Sequence, residues 1–250
     1  MLKRSKILII VIVSFGIAFH CKNFANPENA VMPVLHELIQ IDIPQTSAIE
    51  LSFIDAGLVD VNDFDTTIMV DLAYGKADNF VGVNFYGGFN NAYLQPEVAE
   101  MLVKAQRYLR GIDSSLVLCV LDAARPRWVQ QMMWDSVKPP PGMFKGFLVS
   151  NPANGSVHNY GCAVDVTICH KTTKLPLDMG SPFDYFGPEA YPVEEERMLK
   201  SGKLTYDQIK HRKLLRKVMY KAGFFNIQTE WWHFNACHRE AAKQKYHILE

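Results

Sequence analysis

The sequence predicts an α+β fold, a single domain in which helices flank a mostly antiparallel central sheet. Candidate helices and strands alternate irregularly, without the repeated strand–helix–strand spacing that is typical of a parallel sheet. The chain has 250 residues, of which 48% are hydrophobic, and this is enough to bury a full core in one domain. After the first residues, no internal repeat or low-complexity linker divides it.

Two helices are predicted from proline starts and apolar stripes. The first begins at Pro96 and keeps its apolar residues on one face through Leu109,. Proline fits the first turn of a helix, and Gly111 is expected just past the end, where glycine is favoured. A second helix is expected to start at Pro126 and to run through Met133.

The remaining elements follow from capping signals and apolar runs. A third helix is predicted over residues 205–222, because Thr205 and Gln208 have capping-box spacing and Gly223 is a natural stop,. Strands are expected at residues 115–121, 163–168 and 225–234. Loops are expected at the proline-rich residues 138–143 and at residues 177–196.

The first residues have the pattern of an export signal. Basic side chains precede an apolar stretch, residues 7–19, which is too short to span a bilayer comfortably,. We therefore assign residues 1–25 to a signal peptide and residues 26–250 to the folded domain. Cys21 lies where a lipoprotein signal places its lipidated cysteine, although a histidine precedes it where a small residue is expected. Membrane anchoring through Cys21 is therefore kept as an alternative.

The charge balance argues against a nucleic-acid partner. The chain has 26 Lys and Arg and 26 Asp and Glu, so its formal net charge is zero. No long basic run supplies a local electrostatic footprint for nucleic acid.

The cysteines allow two interpretations. Besides Cys21 there are four, Cys119, Cys162, Cys169 and Cys237. In an exported protein they could form two disulfides in three alternative connectivities. We favour buried thiols, because Cys119 lies in the apolar run LVLCVL and free cysteine behaves as a small apolar side chain.

The segment GSVHNYGCAVDVTI contains two candidate metal ligands, His158 and Asp165,. Along the predicted strand, Val164 and Val166 would face the core, while Asp165 points to the other side. An unpaired carboxylate inside an apolar strand is costly to bury, and a bound cation removes that cost.

The segment TEWWHFN adds two more candidates. Glu230 lies among aromatic residues, so desolvation is expected to raise its pKa and suit it to general-base work,. His233 would be a third ligand, and two histidines with one carboxylate leave a position on Zn²⁺ open for water. The spacing is not a general metal signature, so satisfied core residues stay an alternative. A rival site at the dipeptides Cys169–His170 and Cys237–His238 ranks far lower.

At this point the residues resemble a known family. SVHNYGCAVDVTI and EWWH are similar to the S-x-H-x-x-G-x-A-x-D and E-x-W-H motifs of VanX-type D-alanyl-D-alanine dipeptidases, which belong to a zinc D,D-peptidase superfamily that includes the Hedgehog amino-terminal domain. LAYGKADNFVG, LQPEVAEMLVKAQRYL, LDAARP, LDMGSPFD and AGFFNIQTEWWHF also look like family segments in the family's order. Together they cover about residues 70 to 235.

The resemblance implies a Hedgehog/D,D-peptidase-like fold and one Zn²⁺ per chain. It assigns the zinc ligands to His158, Asp165 and His233. It also implies that residues 26–250 form a dipeptidase domain exported to the periplasm or envelope of a bacterium, with D-Ala-D-Ala as the small substrate.

The resemblance also implies the roles of four further residues. Glu230 matches the catalytic acid/base, and Arg125 in LDAARP matches the arginine that stabilises the transition state. Ser156 and Asp184 match substrate-binding positions, and Asp184 would meet the free amino group. The family commonly has an aromatic residue just before that arginine, whereas this chain has Ala124.

Two alternatives remain at this stage. One is a D,D-carboxypeptidase or peptidoglycan endopeptidase with the same zinc core. The other is a non-catalytic zinc-binding module.

Overall fold

Five strands form the central sheet of the computed structural model, which describes residues 47–250 except Pro140 and Met143. The strands of the structure are β1 (Val59–Asp60), β2 (Met69–Val70), β3 (Tyr93–Leu94), β4 (Leu116–Asp122), β5 (Ala163–His170), β6 (Phe225–Asn226) and β7 (His233–Asn235). The sheet has the order β2-β4-β5-β7-β6, and β1 pairs separately with β3. Only the β2–β4 pair is parallel, while the other three are antiparallel. The predicted α+β class with a mostly antiparallel sheet is confirmed.

Six α-helices surround these strands in the described part of the chain. They are α1 (Ala48–Asp55), α2 (Pro96–Ile112), α3 (Arg127–Ser136), α4 (Glu195–Lys200), α5 (Tyr206–Ala222) and α6 (Arg239–Lys245). The sequence analysis missed α1, α4, α6 and the β1–β3 pair, which are short elements with weak periodicity. The described residues belong to one unit, Thr46–Glu250. The predicted signal peptide and Cys21 lie outside them.

The two long helices were predicted closely, with one correction. Thr205 and Gln208 form the expected capping box of α5, and Gly223 ends it with a left-handed φ of 104°. In α2, however, Gly111 lies inside the helix and does not follow its end. The chain leaves the helical conformation only at Asp113, and Gly111 does not adopt the positive φ that a glycine stop requires.

The predicted strand over residues 225–234 is wrong as a single element. β6 and β7 pair with each other in antiparallel fashion, so Phe225 lies opposite Asn235. A chain that pairs with itself must turn between the two strands, and residues 227–232 make that turn. The loop predicted at residues 177–196 is confirmed up to Glu195, where α4 begins.

The sheet has two differently covered faces. Leu118, Val120, Val164 and Val166 belong to the main core, together with Leu102 of α2 and side chains of α5. Val117, Cys119 and Cys169 form a small cluster on the opposite face. The predicted orientation of Val164 and Val166 is therefore confirmed, and Asp165 points away from the helix layer.

The four described cysteines are free thiols, three of them buried and Cys237 half-buried. This agrees with the favoured interpretation. In the described part of the chain, no helix is both long and apolar enough to cross a membrane.

The two glycines give a direct test of the helix ends. Gly223→Ala should lower the free energy of unfolding by about 1–2 kcal/mol, because alanine is strained at this positive φ,. Gly111→Ala should raise it by about 0.5–1 kcal/mol, because Gly111 is an exposed helical position with open space at its Cβ,. Urea unfolding measures both changes. Destabilisation by Gly111→Ala would contradict the observed end of α2.

Candidate metal centre and active site

The strand register brings three polar residues into line across the sheet. Asp165 of β5 lies opposite His233 of β7 and opposite Asp122 of β4 on its other side. A β-bulge makes the second pairing possible, because the register shifts between Val120 and Asp122. In a regular register without the bulge, Leu121 would lie opposite Asp165 and Asp122 would not,.

His158 reaches the same place from a short 3-10 helix, Val157–Tyr160. Ser156 caps this helix, and Gly161 ends it with a left-handed φ of 65°. A Cβ at Gly161 would come within 2.9 Å of Leu58, so glycine is needed there for the turn and for the close approach. The backbone oxygen of His158 accepts a hydrogen bond from the Arg125 N–H at 3.1 Å, which ties the two segments together.

The three predicted metal ligands converge. His158 Nε2 is 3.0 Å from His233 Nδ1 and 3.3 Å from Asp165 Oδ1. His233 Nδ1 is 3.0 Å from the same carboxylate oxygen. All three residues are buried, and they are the only such His/Cys/Asp/Glu group among the described residues. The rival site at Cys169–His170 and Cys237–His238 is therefore wrong for that part of the chain.

The outer hydrogen bonds decide which ring nitrogens are available. His158 Nδ1 lies 2.7 Å from the carbonyl oxygen of Ala123, which can only accept, so Nδ1 carries the proton,. His233 Nε2 lies 2.9 Å from Asn235 Oδ1 and donates to it in the same way. A cation placed between the rings would then meet two nitrogen lone pairs and a carboxylate oxygen of Asp165.

This donor set fits Zn²⁺. The two histidines hold the pKa of Asp165 well below its usual range although burial alone would raise it, so the carboxylate is ionised. Two imidazoles and a carboxylate are the protein ligands of a catalytic zinc site, with a position left for water. Each histidine also has the carbonyl or amide partner that typically orients a metal-bound ring.

Arg125 is fixed beside this centre. Its Nε donates to Asp122 Oδ2 at 2.9 Å, and its Nη1 donates to Gln130 Oε1 at 2.8 Å. The guanidinium stands over the ring of Tyr74, 5.1 Å from its centroid. Its Nη2 is 3.7 Å from Asp165 Oδ2, so the arginine borders the metal ligands without using all of its donors.

Ala124, the departure from the family pattern, does not disturb this arrangement. Its side chain lies in a separate buried cluster with Phe53, Leu58, Tyr93 and Leu249. The aromatic rings of that cluster come from other parts of the chain. Arg125 keeps its own partners on the opposite side of the backbone.

Glu230 is carried by the turn between β6 and β7. Its Oε2 lies 3.8 Å from His233 Nδ1, and its side chain is 25% exposed. Burial, with the negative charge of Asp165 adding to it, raises the pKa of Glu230 to about 7. A carboxyl group with that pKa exchanges protons readily near neutral pH.

Asp184 faces the same cleft from the loop after β5. The hydroxyl of Tyr74 lies 3.1 Å and 3.0 Å from its two carboxylate oxygens. Burial and the charge of Asp165 raise the pKa of Asp184 well above its usual value. Asp184 has a positive φ of 59°, a conformation that aspartate and asparagine adopt more easily than most residues.

The cleft has a volume of about 340 Å³, and all seven predicted site residues line it. Ser156 is 7% exposed, and its Oγ accepts a hydrogen bond from the His158 N–H at 3.4 Å. Its hydroxyl proton is thus available to a ligand. The structure brings together every site residue that the sequence suggested.

Four supporting residues were missed by the sequence analysis: Asp122, Gln130, Tyr74 and Asn235. Asp122 had a usable signal, because it is an aspartate at the end of an apolar strand and three residues before Arg125. It is fully buried. Tyr74 comes from a distant segment, and Gln130, five residues after Arg125, had no such signal.

A donor set of this kind, with a carboxyl group and a guanidinium beside it in one cleft, is characteristic of metal-dependent hydrolases. The particular family follows from comparison with known proteins. The chain belongs to the D-ala-D-ala dipeptidase family of peptidases, whose family model matches residues 54–249. The family match confirms the resemblance seen in the sequence and the metallopeptidase class. Together with the His/Asp/His group of the structure, it also confirms the zinc cofactor.

Known relatives are similar over most of their length. The chain is 29% identical to the D-alanyl-D-alanine dipeptidase of Escherichia coli over 177 residues, which cover 71% of this chain and 83% of that protein. It is 29% identical to the D-alanyl-D-alanine dipeptidase of Enterococcus faecalis over 178 residues, 66% of this chain and 83% of that one. The chain is also similar to a solved structure, VanYB in complex with D-Alanine-D-Alanine. The match covers 72% of this chain and 83% of that chain, with 15% sequence identity. Its TM-score is 0.37.

The metal site makes a quantitative prediction. The purified protein should contain one zinc per chain by elemental analysis, and His158→Ala should lose it. His170→Ala is the matched control, because His170 is exposed and lies outside the cluster. Zinc retained in His158→Ala, or lost in His170→Ala, would contradict the assignment.

Proposed function

We propose that this protein hydrolyses the dipeptide D-alanyl-D-alanine to two molecules of D-alanine in a zinc-dependent reaction. One observation carries the proposal. The metal ligands, Glu230, Arg125 and Asp184 all face a single small cleft. The cleft therefore combines groups for activating water, stabilising negative charge and binding an amino group. The relatives from Escherichia coli and Enterococcus faecalis are D-alanyl-D-alanine dipeptidases, which supports the same substrate.

Zinc supplies the electrophilic part of this chemistry. When held by His158, Asp165 and His233, Zn²⁺ lowers the pKa of a bound water from 15.7 to about 7 and polarises a carbonyl oxygen. The protein residues around it divide the remaining work, which is to move a proton, stabilise an oxyanion and hold the two ends of the dipeptide.

Glu230 is proposed to move the proton. Its carboxylate accepts a proton from the attacking water and then donates it to the nitrogen of the departing D-alanine. Its position next to His233 suits it to both steps. A pKa near 7 balances the two roles, because the same group has to act as a base and then as an acid,.

Arg125 is proposed to stabilise the oxyanion of the tetrahedral intermediate. Asp122 and Gln130 hold the guanidinium in place before substrate binds. Such preorganisation matters, because a positive group that is already oriented needs no rearrangement as charge develops. Losing one oxyanion partner of this kind typically slows a reaction by about 10²–10³.

The ends of the substrate are proposed to define its length. The carboxylate of Asp184 would bind the free ammonium group, and the Ser156 hydroxyl would donate to the terminal carboxylate. A volume of about 340 Å³ suits a dipeptide. With both ends held, a longer or blocked peptide would have to bury an unpaired charge or collide with the wall.

The proposed site of action is the bacterial envelope or periplasm. The basic residues and the apolar stretch at positions 7–19 support export,. Cys21 supports lipid anchoring as an alternative to free release. Export would put the enzyme in the compartment where wall peptides are found.

The role of Glu230 is tested by Glu230→Gln. The variant should fold and keep its zinc while kcat falls by about 10²–10⁴, since general acid–base catalysis contributes that much. Glu240→Gln is the control, because Glu240 lines the mouth of the same cleft and is exposed; its kcat should stay within a few-fold of wild type. Near wild-type turnover by Glu230→Gln would contradict the assignment.

The dipeptide specificity is tested with a blocked substrate. Wild-type protein should cleave D-Ala-D-Ala and reject its N-acetyl form. Asp184→Asn, which tolerates the positive φ, should lower kcat/KM for the free dipeptide by about 10- to 100-fold through the lost charge-assisted contact. Equal cleavage of both substrates by the wild type would instead indicate a carboxypeptidase or endopeptidase with the same metal core.

A further inference from the structure

Helices α2 and α5 present a strongly basic surface to solvent. Their exposed positions contain seven basic residues and only two acidic ones, Glu100 and Asp207. The excess of five positive charges lies in a chain whose formal net charge is zero. We call this surface the basic face, and its cations are Lys104, Arg107, Arg110, Lys210, Lys213, Lys217 and Lys221. The residues are spaced along two helices, so no basic run shows in the sequence.

The charges of the basic face are not compensated locally. None of its seven cations forms an ion pair with a carboxylate of the described residues. Exposed cations elsewhere do so, for example Lys200 with Glu196 and Lys203 with Glu189. On α5, the arginines that do pair, Arg212 and Arg216, turn inward to Glu195. The basic face therefore holds seven cations on two helices without an ion-pair partner among the described residues.

An apolar groove lies between the two helices inside this surface. It has a volume of about 570 Å³ and is lined by Tyr108, Ile112, Lys217, Val218, Tyr220 and Lys221. Ile112 and Tyr220 are each 50% exposed and Tyr108 is 40% exposed. The Lys221 ammonium stands 5.8 Å from the centre of the Tyr108 ring. Large apolar side chains are thus exposed among lysines.

This combination matches the surface of an anionic bilayer. Tyrosine partitions to the membrane–water interface, and lysine keeps its ammonium at the headgroups while its stem covers apolar surface. Five of the seven cations are lysines, which act as hydrated point charges, whereas proteins that read individual phosphates favour the bidentate fork of arginine. We propose that the basic face docks the protein on a lipid surface rich in anionic headgroups.

The orientation that results leaves the cleft accessible. Val164 and Val166 face the helix layer, while Asp165 points to the opposite side of the sheet,. A membrane bound to the outer side of α2 and α5 would therefore lie on the far side of the sheet from the metal ligands. Small soluble substrates would still reach the cleft from the aqueous side.

The proposal is tested by vesicle binding with the full-length protein. One set of vesicles is phosphatidylcholine alone, and in the other about a third of the lipid is phosphatidylglycerol. Each basic residue near an anionic surface strengthens binding, so the triple variant Lys213→Gln, Lys217→Gln, Lys221→Gln should bind the anionic vesicles about 100-fold more weakly. Glutamine has nearly the helix propensity of lysine, so α5 should persist.

The matched control removes three exposed lysines elsewhere that form no ion pair with a described carboxylate, Lys138→Gln, Lys171→Gln and Lys174→Gln. It should bind like the wild type, and added salt should weaken binding of both. All three proteins share the same N-terminal segment, so their difference reports only the exchanged lysines. An equal loss in the control, no preference of the wild type for anionic vesicles, or binding to a soluble polyanion without binding to vesicles would each overturn the proposal.

Discussion

The pairing of Asp165 between Asp122 and His233 is the constraint on which the site depends. A carboxylate that is buried in the middle of a sheet is unstable unless positive groups surround it. Here the strand on one side contributes a histidine, and the bulge on the other side brings in Asp122, which holds Arg125. Moving either strand by one residue would replace these partners with apolar side chains.

The same constraint accounts for the electrostatics of the cleft. Asp122, Asp165, Asp184 and Glu230 bring four carboxyl groups together beside the guanidinium of Arg125. Burial raises the pKa values of Glu230 and Asp184, and the negative charge of Asp165 raises them further. A divalent cation at the two histidines and Asp165 adds positive charge beside these carboxyl groups, so metal binding and the ionisation of the neighbouring acids are linked.

Local sequence patterns predicted the main helices and strands of this fold. Features that depend on pairing between distant residues were missed. The capping box of α5 and the alternation around Val164 are local features, and both were predicted from sequence. The position of Gly111 was misjudged because a glycine near a helix end can lie in the last helical turn or can end the helix with a positive φ. Only the backbone conformation distinguishes the two cases. Residues 225–234 looked like one strand because nothing local shows that the chain pairs with itself.

The candidate site divides in the same way. The candidate ligands and Glu230 lie in two short segments with recognisable motifs, so the sequence alone was enough to suggest them. Tyr74 and Gln130 reach the site from segments more than fifty residues apart, and their roles depend on how those segments pack. Asp122 could be predicted only in part. The apolar strand before it indicates that it is buried, but its position opposite Asp165 depends on the bulge.

Anomalous diffraction at the zinc absorption edge, from crystals of the purified protein, tests the central claim most directly. The hydrogen bonds of the two rings predict one strong peak bound by His158 Nε2, His233 Nδ1 and a carboxylate oxygen of Asp165. A peak elsewhere, or one bound through His233 Nε2, would contradict the account.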